Sequence, residues 1–179
     1  MSKELLLEIG AEEIPAGFVP KALASLEEMI RKELETARLC FDAITTMGTP
    51  RRLTLHVKGL PTIQPDAELT AMGPSKKAAF DAEGKPTKAA EGFARGQGVD
   101  VSALQVISTE KGEYLAVTKQ EIGRPTHELL AEILPRLVSG IPFKKSMRWA
   151  DLDIRFARPV HWIIALFDGV VVPFSFGPI

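Results

Sequence analysis

The sequence predicts an α+β fold: a mostly antiparallel sheet covered by helices, with a small helical subdomain inserted into it. Three observations lead there. Apolar and polar residues alternate through 5–9, 53–57 and 152–156, the period of a half-buried strand. At 18–39 and 125–138 apolar residues instead recur every three or four positions, the period of an amphipathic helix. Between 61 and 103 the composition turns to Gly, Pro, Lys and Ala and large apolar residues thin out, so the core domain is expected at 1–60 and 104–179 with 61–103 as the insert.

Size and composition agree. A chain of 179 residues, 45% apolar and 25% charged, buries a core large enough for one domain and a small subdomain. No apolar run approaches the roughly 20 residues that cross a bilayer. The opening MSKELLLEIGAEE is too acidic, and its apolar stretch too short, for a secretory signal. A soluble, cytoplasmic protein with no membrane partner is expected. Cys40 has no second cysteine to pair with and reads as a small core residue.

Leu5, Leu7 and Ile9 form the first strand, which Pro15 and Gly17 end. Val19, Leu23, Leu26, Ile30, Leu34 and Ala37 then stripe a helix over about 18–39, with Glu27–Arg31 and Glu28–Lys32 as supporting pairs on its wet face. Gly48-Thr49-Pro50 separates 44–47 from a strand at 51–57 whose outer face carries Arg52, His56 and Lys58. Inside the insert, short helices are expected at 75–80 and 87–96. A hairpin at 104–120 turns at Lys111-Gly112, and Pro125 opens a helix buried through Leu129, Leu130, Ile133, Leu134 and Leu137, with Pro135 expected to kink or restart it. The last stretch returns to strands. Met147 and Trp149 share a face, Leu152, Ile154 and Phe156 alternate, and Asp168-Gly169 joins 160–167 to 170–176 as a hairpin. Phe176-Gly177-Pro178-Ile179 reads as a cut end rather than a natural terminus.

The charge is uneven although the net is only -1. Residues 1–40 hold five Lys/Arg and eight Glu, whereas 136–162 hold six Lys/Arg and two Asp. In that second window, cations lie among Trp149, Phe156, His161 and Trp162, a mixture that suits a nucleic-acid backbone with exposed bases and equally a solvated strand face over core tryptophans. The motifs of catalysis are missing. His56, His127 and His161 have no metal-ligand spacing, no Gly-x-Ser-x-Gly elbow occurs, and neither Lys76-Lys77 nor Lys144-Lys145-Ser146 has the glycine-rich cradle of a phosphate loop.

Five blocks, LLLEIGAEEIP at 5–15, TPRRL at 49–53, GPSKKAAFDAEGKPTKAAEGFARGQGV at 73–99, KSMRW at 145–149 and FARPVHWIIALFDG at 156–169, together resemble the bacterial glycyl-tRNA synthetase β subunit. The match spans nearly the whole chain, with Ala11 standing where the opening motif usually has Thr. The resemblance implies an N-terminal part of a much longer β chain, without its later domains and their anticodon-binding module. It also implies an α2β2 enzyme in which the α subunit holds the class II site for glycine, ATP and Mg, while β contributes tRNA binding and subunit structure. The partners it implies are the α subunit, a glycine-specific tRNA and the remaining β domains, with no cofactor in this part.

The family resemblance assigns no catalytic residue here. From the residues themselves, Arg51, Arg52, His56, Lys58, Lys76, Lys77, Lys145, Arg148 and Arg158 are the candidates for tRNA contact, with Arg52, His56, Lys58 and Arg148 forming one groove if their strands share a sheet. Glu8, Glu12 and Glu13 are candidates for a structural or subunit contact, for example capping the helix that follows. A scaffolding domain that docks the α subunit or other β domains without touching tRNA is the competing expectation.

Overall fold

The computed structural model describes residues 3–81, 83–110, 112–149 and 152–179. The chain divides into two compact units, one running to Pro65 and resuming over Gly123–Ile179, the other spanning Asp66–Ile122.

The first unit is built on a five-stranded antiparallel sheet. Its strands are β1 (Lys3–Ala11), β2 (Ala43–Thr49), β3 (Arg52–Leu60), β9 (Val160–Phe167) and β10 (Val170–Val171), ordered β10-β9-β1-β3-β2. β1 is central because its inward residues Leu5, Leu7 and Ile9 are fully buried. They register against Val57, Leu55 and Leu53 of β3 on one side and Phe167, Ala165 and Ile163 of β9 on the other. Helix α1 (Val19–Thr36) covers this face with Val19, Ala22, Leu26, Ile30 and Leu34, and α4 (Thr126–Gly140) lies against α1 and joins the same core. Each fully buried Leu or Ile here stabilises the unit by about 1.5–3 kcal/mol. Arg38 ends α1 in the left-handed region at φ 55°, and Leu39 N–H donates to the Leu34 carbonyl at 2.8 Å, a Schellman closure made without glycine.

Helix α4 runs unbroken through Pro135, so the expected restart does not occur. Leu134, Leu137 and Val138 are buried on both sides of the proline and hold the turn that lacks its donor. The chain leaves and re-enters this unit along paired backbone. Gln64 N–H donates to the Arg124 carbonyl at 2.9 Å, Arg124 N–H reaches Gln64 Oε1 at 3.3 Å, and Gln64 Nε2 donates to the Ala37 carbonyl at 2.7 Å. A Cβ on Gly123 would sit 1.6 Å from the Gln64 carbonyl oxygen, so only glycine admits this approach. The remaining strands of the unit, β7 (Met147–Arg148) and β8 (Arg155–Phe156), pair as a ribbon of their own.

The second unit is also α+β. β4 (Ala67–Ser75), β5 (Gln105–Thr109) and β6 (Gly112–Glu121) form a sheet ordered β4-β6-β5, with helices α2 (Lys76–Ala79) and α3 (Lys88–Gln97) over a small core of Ala79, Ala90 and Leu115 joined by Phe80, Phe93 and Leu104. Thr87 Oγ1 accepts from Ala89 N–H at the start of α3.

Several expectations need correction. The insert spans 66–122 rather than 61–103 and is not only helical. The 104–120 hairpin belongs to it, because β6 takes β4 as its second neighbour and not a strand of the five-stranded sheet. Lys111, expected in that hairpin turn, lies outside the described residues. The strand expected at 170–176 stops at Val171, ahead of Pro173, which has no N–H for a ladder. Trp149 and Leu152 fall outside the two-residue strands β7 and β8. Cys40 is exposed, not core, since the chain has already left α1 and Leu39 takes the buried position.

Candidate nucleic-acid interface

The face of the five-stranded sheet turned away from the helices follows directly from the register. Glu4, Leu6, Glu8 and Gly10 of β1 alternate with the buried leucines, and opposite them stand Lys58, His56, Thr54 and Arg52 of β3. Leu166, Ile164 and Trp162 of β9 flank β1 on its other side, and Met47 of β2 lies opposite Thr54. Arg52, His56 and Lys58 therefore do share the outer face of one strand.

These cations are not equally available. Arg52 Nε approaches Glu8 Oε1 at 3.5 Å, Glu8 Oε2 accepts from Thr54 Oγ1 at 3.1 Å, and His56 Nε2 lies 3.1 Å from Glu4 Oε2. Glu8 is only 18% exposed, so its bond to Arg52 is part of the sheet. Arg51 and Glu13, 3.9 Å apart with side chains 76% and 72% exposed, form a pair of the solvated kind that contributes about 0–1 kcal/mol and exchanges readily for another anion. His161 and Glu12 are likewise 3.9 Å apart and half exposed. Lys58, Lys77, Lys145 and Arg158 have no carboxylate partner among the described residues.

Trp162 organises one end of this face. Its indole lies on β1 at Gly10, where a Cβ would come within 2.1 Å of Cε2, and the Arg52 guanidinium sits 5.5 Å from the ring centroid. Around it opens a cleft of about 860 Å³ lined by Glu12, Glu13, Arg51, Arg52, His161 and Trp162 among others. Three segments far apart in sequence meet there, drawn together because β3 and β9 both pair with β1. A short step along the backbone, where Glu12 N–H donates to the Pro159 carbonyl at 3.0 Å, Pro159 also borders a second and narrower recess. This slot of about 180 Å³ is lined by Met147, Arg148, Trp149, Phe156, Arg158 and Pro159.

The sequence-derived candidates thus separate. Arg51 and Arg52 border the cleft, together with His161, which is not among the candidates, and Arg148 and Arg158 border the slot. His56 belongs to a glutamate-paired ladder, and Lys145 is exposed in the loop ahead of β7. Lys76 and Lys77 lie on α2 of the second unit, where Lys76 is held 3.0 Å from Glu113. Arg148 does not share a sheet with Arg52, so the single groove expected from joined strands is replaced by a cleft and a slot. Glu12 and Glu13 do not cap α1, which begins behind a 3-10 turn at Ala16–Phe18 with no side-chain cap; they face His161 and Arg51 instead. The seat of Trp162 on Gly10 was not legible beforehand, because it depends on which strands become neighbours.

Among the described residues no three His, Cys, Asp or Glu side chains come together to hold a metal ion, and no helix is long and apolar enough to cross a membrane. The arrangement offers cations, aromatic surfaces and carboxylate acceptors on one unit, which is equipment for binding.

Comparison with known proteins agrees with this reading of the blocks. The chain is 94% identical over its whole length to a glycine–tRNA ligase beta subunit of Trichlorobacter lovleyi, and 72% and 71% identical, over 99% of its length, to the proteins of that name from Geobacter metallireducens and Geobacter sulfurreducens. It spans 26% of the length of each. A family model described as glycyl-tRNA synthetase beta subunit matches residues 5–179. With that model matched from the first strand to the last residue, and relatives this similar along all of it, the chain belongs to the glycyl-tRNA synthetase beta subunit family.

Proposed function

We propose that this chain is the N-terminal part of the β subunit of a heterotetrameric glycine–tRNA ligase and that it supports ATP-dependent attachment of glycine to its tRNA by binding tRNA and helping to assemble the subunits. The chemistry, with its ATP and Mg, belongs on this reading to the α subunit, and the remaining β domains complete the tRNA contact. The observation that carries the RNA role is the cleft: the solvated Arg51 beside the half-buried indole of Trp162, over which the Glu8-bound Arg52 lies, with His161 and two carboxylates at the rim. Arginines position phosphates, aromatic faces stack unpaired bases, and carboxylates accept hydrogen bonds from exposed base amino groups.

The test is salt-dependent tRNA binding by the complete α and β assembly carrying Arg51→Glu and Lys58→Glu. Loss of one phosphate contact each lowers the log-log salt slope by about one per residue. An unchanged slope and affinity refutes tRNA binding on this face. The chain alone is expected to show no glycine-dependent pyrophosphate exchange, and measurable exchange free of α subunit overturns the division of labour.

A second reading, a scaffold that docks the α subunit or another β domain without touching tRNA, is favoured by one specific feature. Met47 and Ile164, 53% and 42% exposed, lie on the same sheet face as the Glu8–Arg52 ion pair and the Glu4–His56 hydrogen bond, and apolar centres with matched polar rims are the anatomy of protein interfaces. On that reading Ile164→Arg blocks assembly with α and leaves tRNA affinity at its wild-type value.

A further inference from the structure

The slot beside the cleft has a composition of its own. Of its six lining residues, Met147, Trp149, Phe156 and Pro159 are apolar and the other two are the arginines Arg148 and Arg158. Phe156 is 3% exposed and sits edge-on to Phe143 at 4.9 Å between centroids, so the apolar wall is anchored in the core and does not collapse into the recess. Trp149, tilted against Phe176 at 6.2 Å, is fixed from behind in the same way. Met147, by contrast, is 44% exposed, an apolar side chain left at the mouth.

The arginines are held differently from those of the sheet. Arg158 is half-buried, and its Nη1 donates to the Ala157 carbonyl at 3.1 Å, a contact within its own turn. No carboxylate meets it among the described residues. A partly desolvated guanidinium in that state gains more from an incoming anion than one already paired, because the cost of removing it from water has been met by folding. Arg148 is paired at 3.0 Å with Asp153, whose side chain is 96% exposed, so this bond can be exchanged for a phosphate at little cost.

We propose that this slot is a single-nucleotide site: one unstacked RNA base enters between Met147, Trp149 and Phe156, and the phosphates on either side of that nucleotide are held by Arg158 and Arg148. The proposal rests on the RNA-binding reading of this unit and deepens it. Size suits a base, since the recess of about 180 Å³ admits one planar ring system between its apolar walls. Charge favours a nucleotide over a protein side chain. An inserted side chain brings at most one carboxylate, whereas a nucleotide in a strand carries a phosphate on each side and so matches two guanidiniums around one apolar recess.

The experiment uses the complete α and β assembly with p-benzoyl-phenylalanine at position 147, irradiated with transcribed glycine tRNA, and maps the crosslink by primer extension. The expected result is a crosslink to one unpaired nucleotide, lost in Arg158→Gln. Overall tRNA affinity then falls about tenfold, the scale of one stacked base or one phosphate contact. Arg148→Gln, at a position 53% exposed whose ion-pair partner Asp153 is solvated, serves as the second variant and lowers the crosslink yield without changing its position. A crosslink to the α subunit or to another segment of β overturns the proposal in favour of a protein occupant. Absence of an RNA crosslink while tRNA still binds with a wild-type salt slope overturns the slot and leaves the cleft's role standing. Failure of the cleft reading is separately visible as an unchanged salt slope in Arg51→Glu with Lys58→Glu.

Discussion

Gly10→Ala tests whether Trp162 is seated as the geometry requires. Gly10 lies in β1, hydrogen-bonded to β3 on one side and β9 on the other, and its φ is in ordinary strand territory. Backbone entropy alone therefore favours alanine by about 0.5–1 kcal/mol. Space decides otherwise. The added Cβ falls 2.1 Å from Trp162 Cε2 and 2.5 Å from both Cζ2 and Nε1, where ordinary contact begins at 3.4 Å. The indole must retreat by more than an ångström, because β1 is paired on both edges and does not move. Overpacking of this kind costs about 1–3 kcal/mol. Lifting one face of the indole off the strand exposes some 50 Å² and costs about 1 kcal/mol more. Weakening the Arg52 contact adds about 0.5–1 kcal/mol. A net destabilisation of about 2–3 kcal/mol by urea unfolding is expected, with a red shift of tryptophan emission. The decisive assay is the double-mutant cycle. In a Trp162→Ala background the clash is gone, and Gly10→Ala should be neutral or stabilising, giving a coupling of about 2–3 kcal/mol. Equal cost in both backgrounds refutes the seating of the indole on β1 and removes Trp162 as the floor of the cleft.

Much of this arrangement was legible in the sequence, and the limits have physical causes. Period-2 alternation correctly put Arg52, His56 and Lys58 on one strand face, and the apolar stripe from Val19 to Leu34 located α1. Local patterns report which way a side chain points relative to its own backbone, and there they succeed. They do not report which strands become neighbours. The Glu8–Arg52 and Glu4–His56 pairs arise because β1 inserts between β3 and β9, a non-local choice made by the fully buried Leu5, Leu7 and Ile9. The same blindness misassigned the 104–120 hairpin. β4 presents Ala67, Leu69 and Ala71 on one face with Glu68, Thr70 and Met72 on the other, too weak an alternation to read as a strand. Its ladder with β6 is nevertheless what makes that hairpin part of the second unit. Pro135 does not restart the helix for a related reason, since burial on both sides of a proline outweighs one missing donor.

Two further predictions concern stability. Gly92 and Gly96 lie inside α3, and a Cβ at either meets nothing within 4 Å, so Gly92→Ala should stabilise the second unit by up to about 1 kcal/mol and Gly96→Ala, nearer the helix end, by somewhat less. Destabilisation by Gly92→Ala in thermal unfolding would refute an open helix face at this position. The last concerns the ties between the segments that cross at Gln64 and Arg124. Arg124 grips Glu132 as a fork, Nη2 to Oε1 at 2.6 Å and Nη1 to Oε2 at 3.3 Å, while its backbone is bonded to Gln64. Hydrogen bonds from Arg124, then its charge, hold the Glu132 carboxyl below its ordinary value of 4.5. A carboxyl whose folded-state pKa is depressed contributes stability that is present above its unfolded value and is lost as pH falls through the lower folded one. The contribution is therefore intact at neutral pH and disappears downward from about pH 4.5. Both groups are solvated, so the amplitude is small, but bidentate geometry keeps it above that of a loose surface pair. Urea midpoints measured from pH 7 to pH 3 should fall more steeply for the parent chain than for Glu132→Gln, the two curves converging at the acid end. Arg124→Gln should flatten most of the same part of the profile, Arg136 still acting weakly on Glu132, and also removes the looser pair Arg124 makes with Glu128 at 3.8 Å. Parallel curves for parent and variant would show that the fork does not persist in solution and that the crossing is held by the bonds of Gln64.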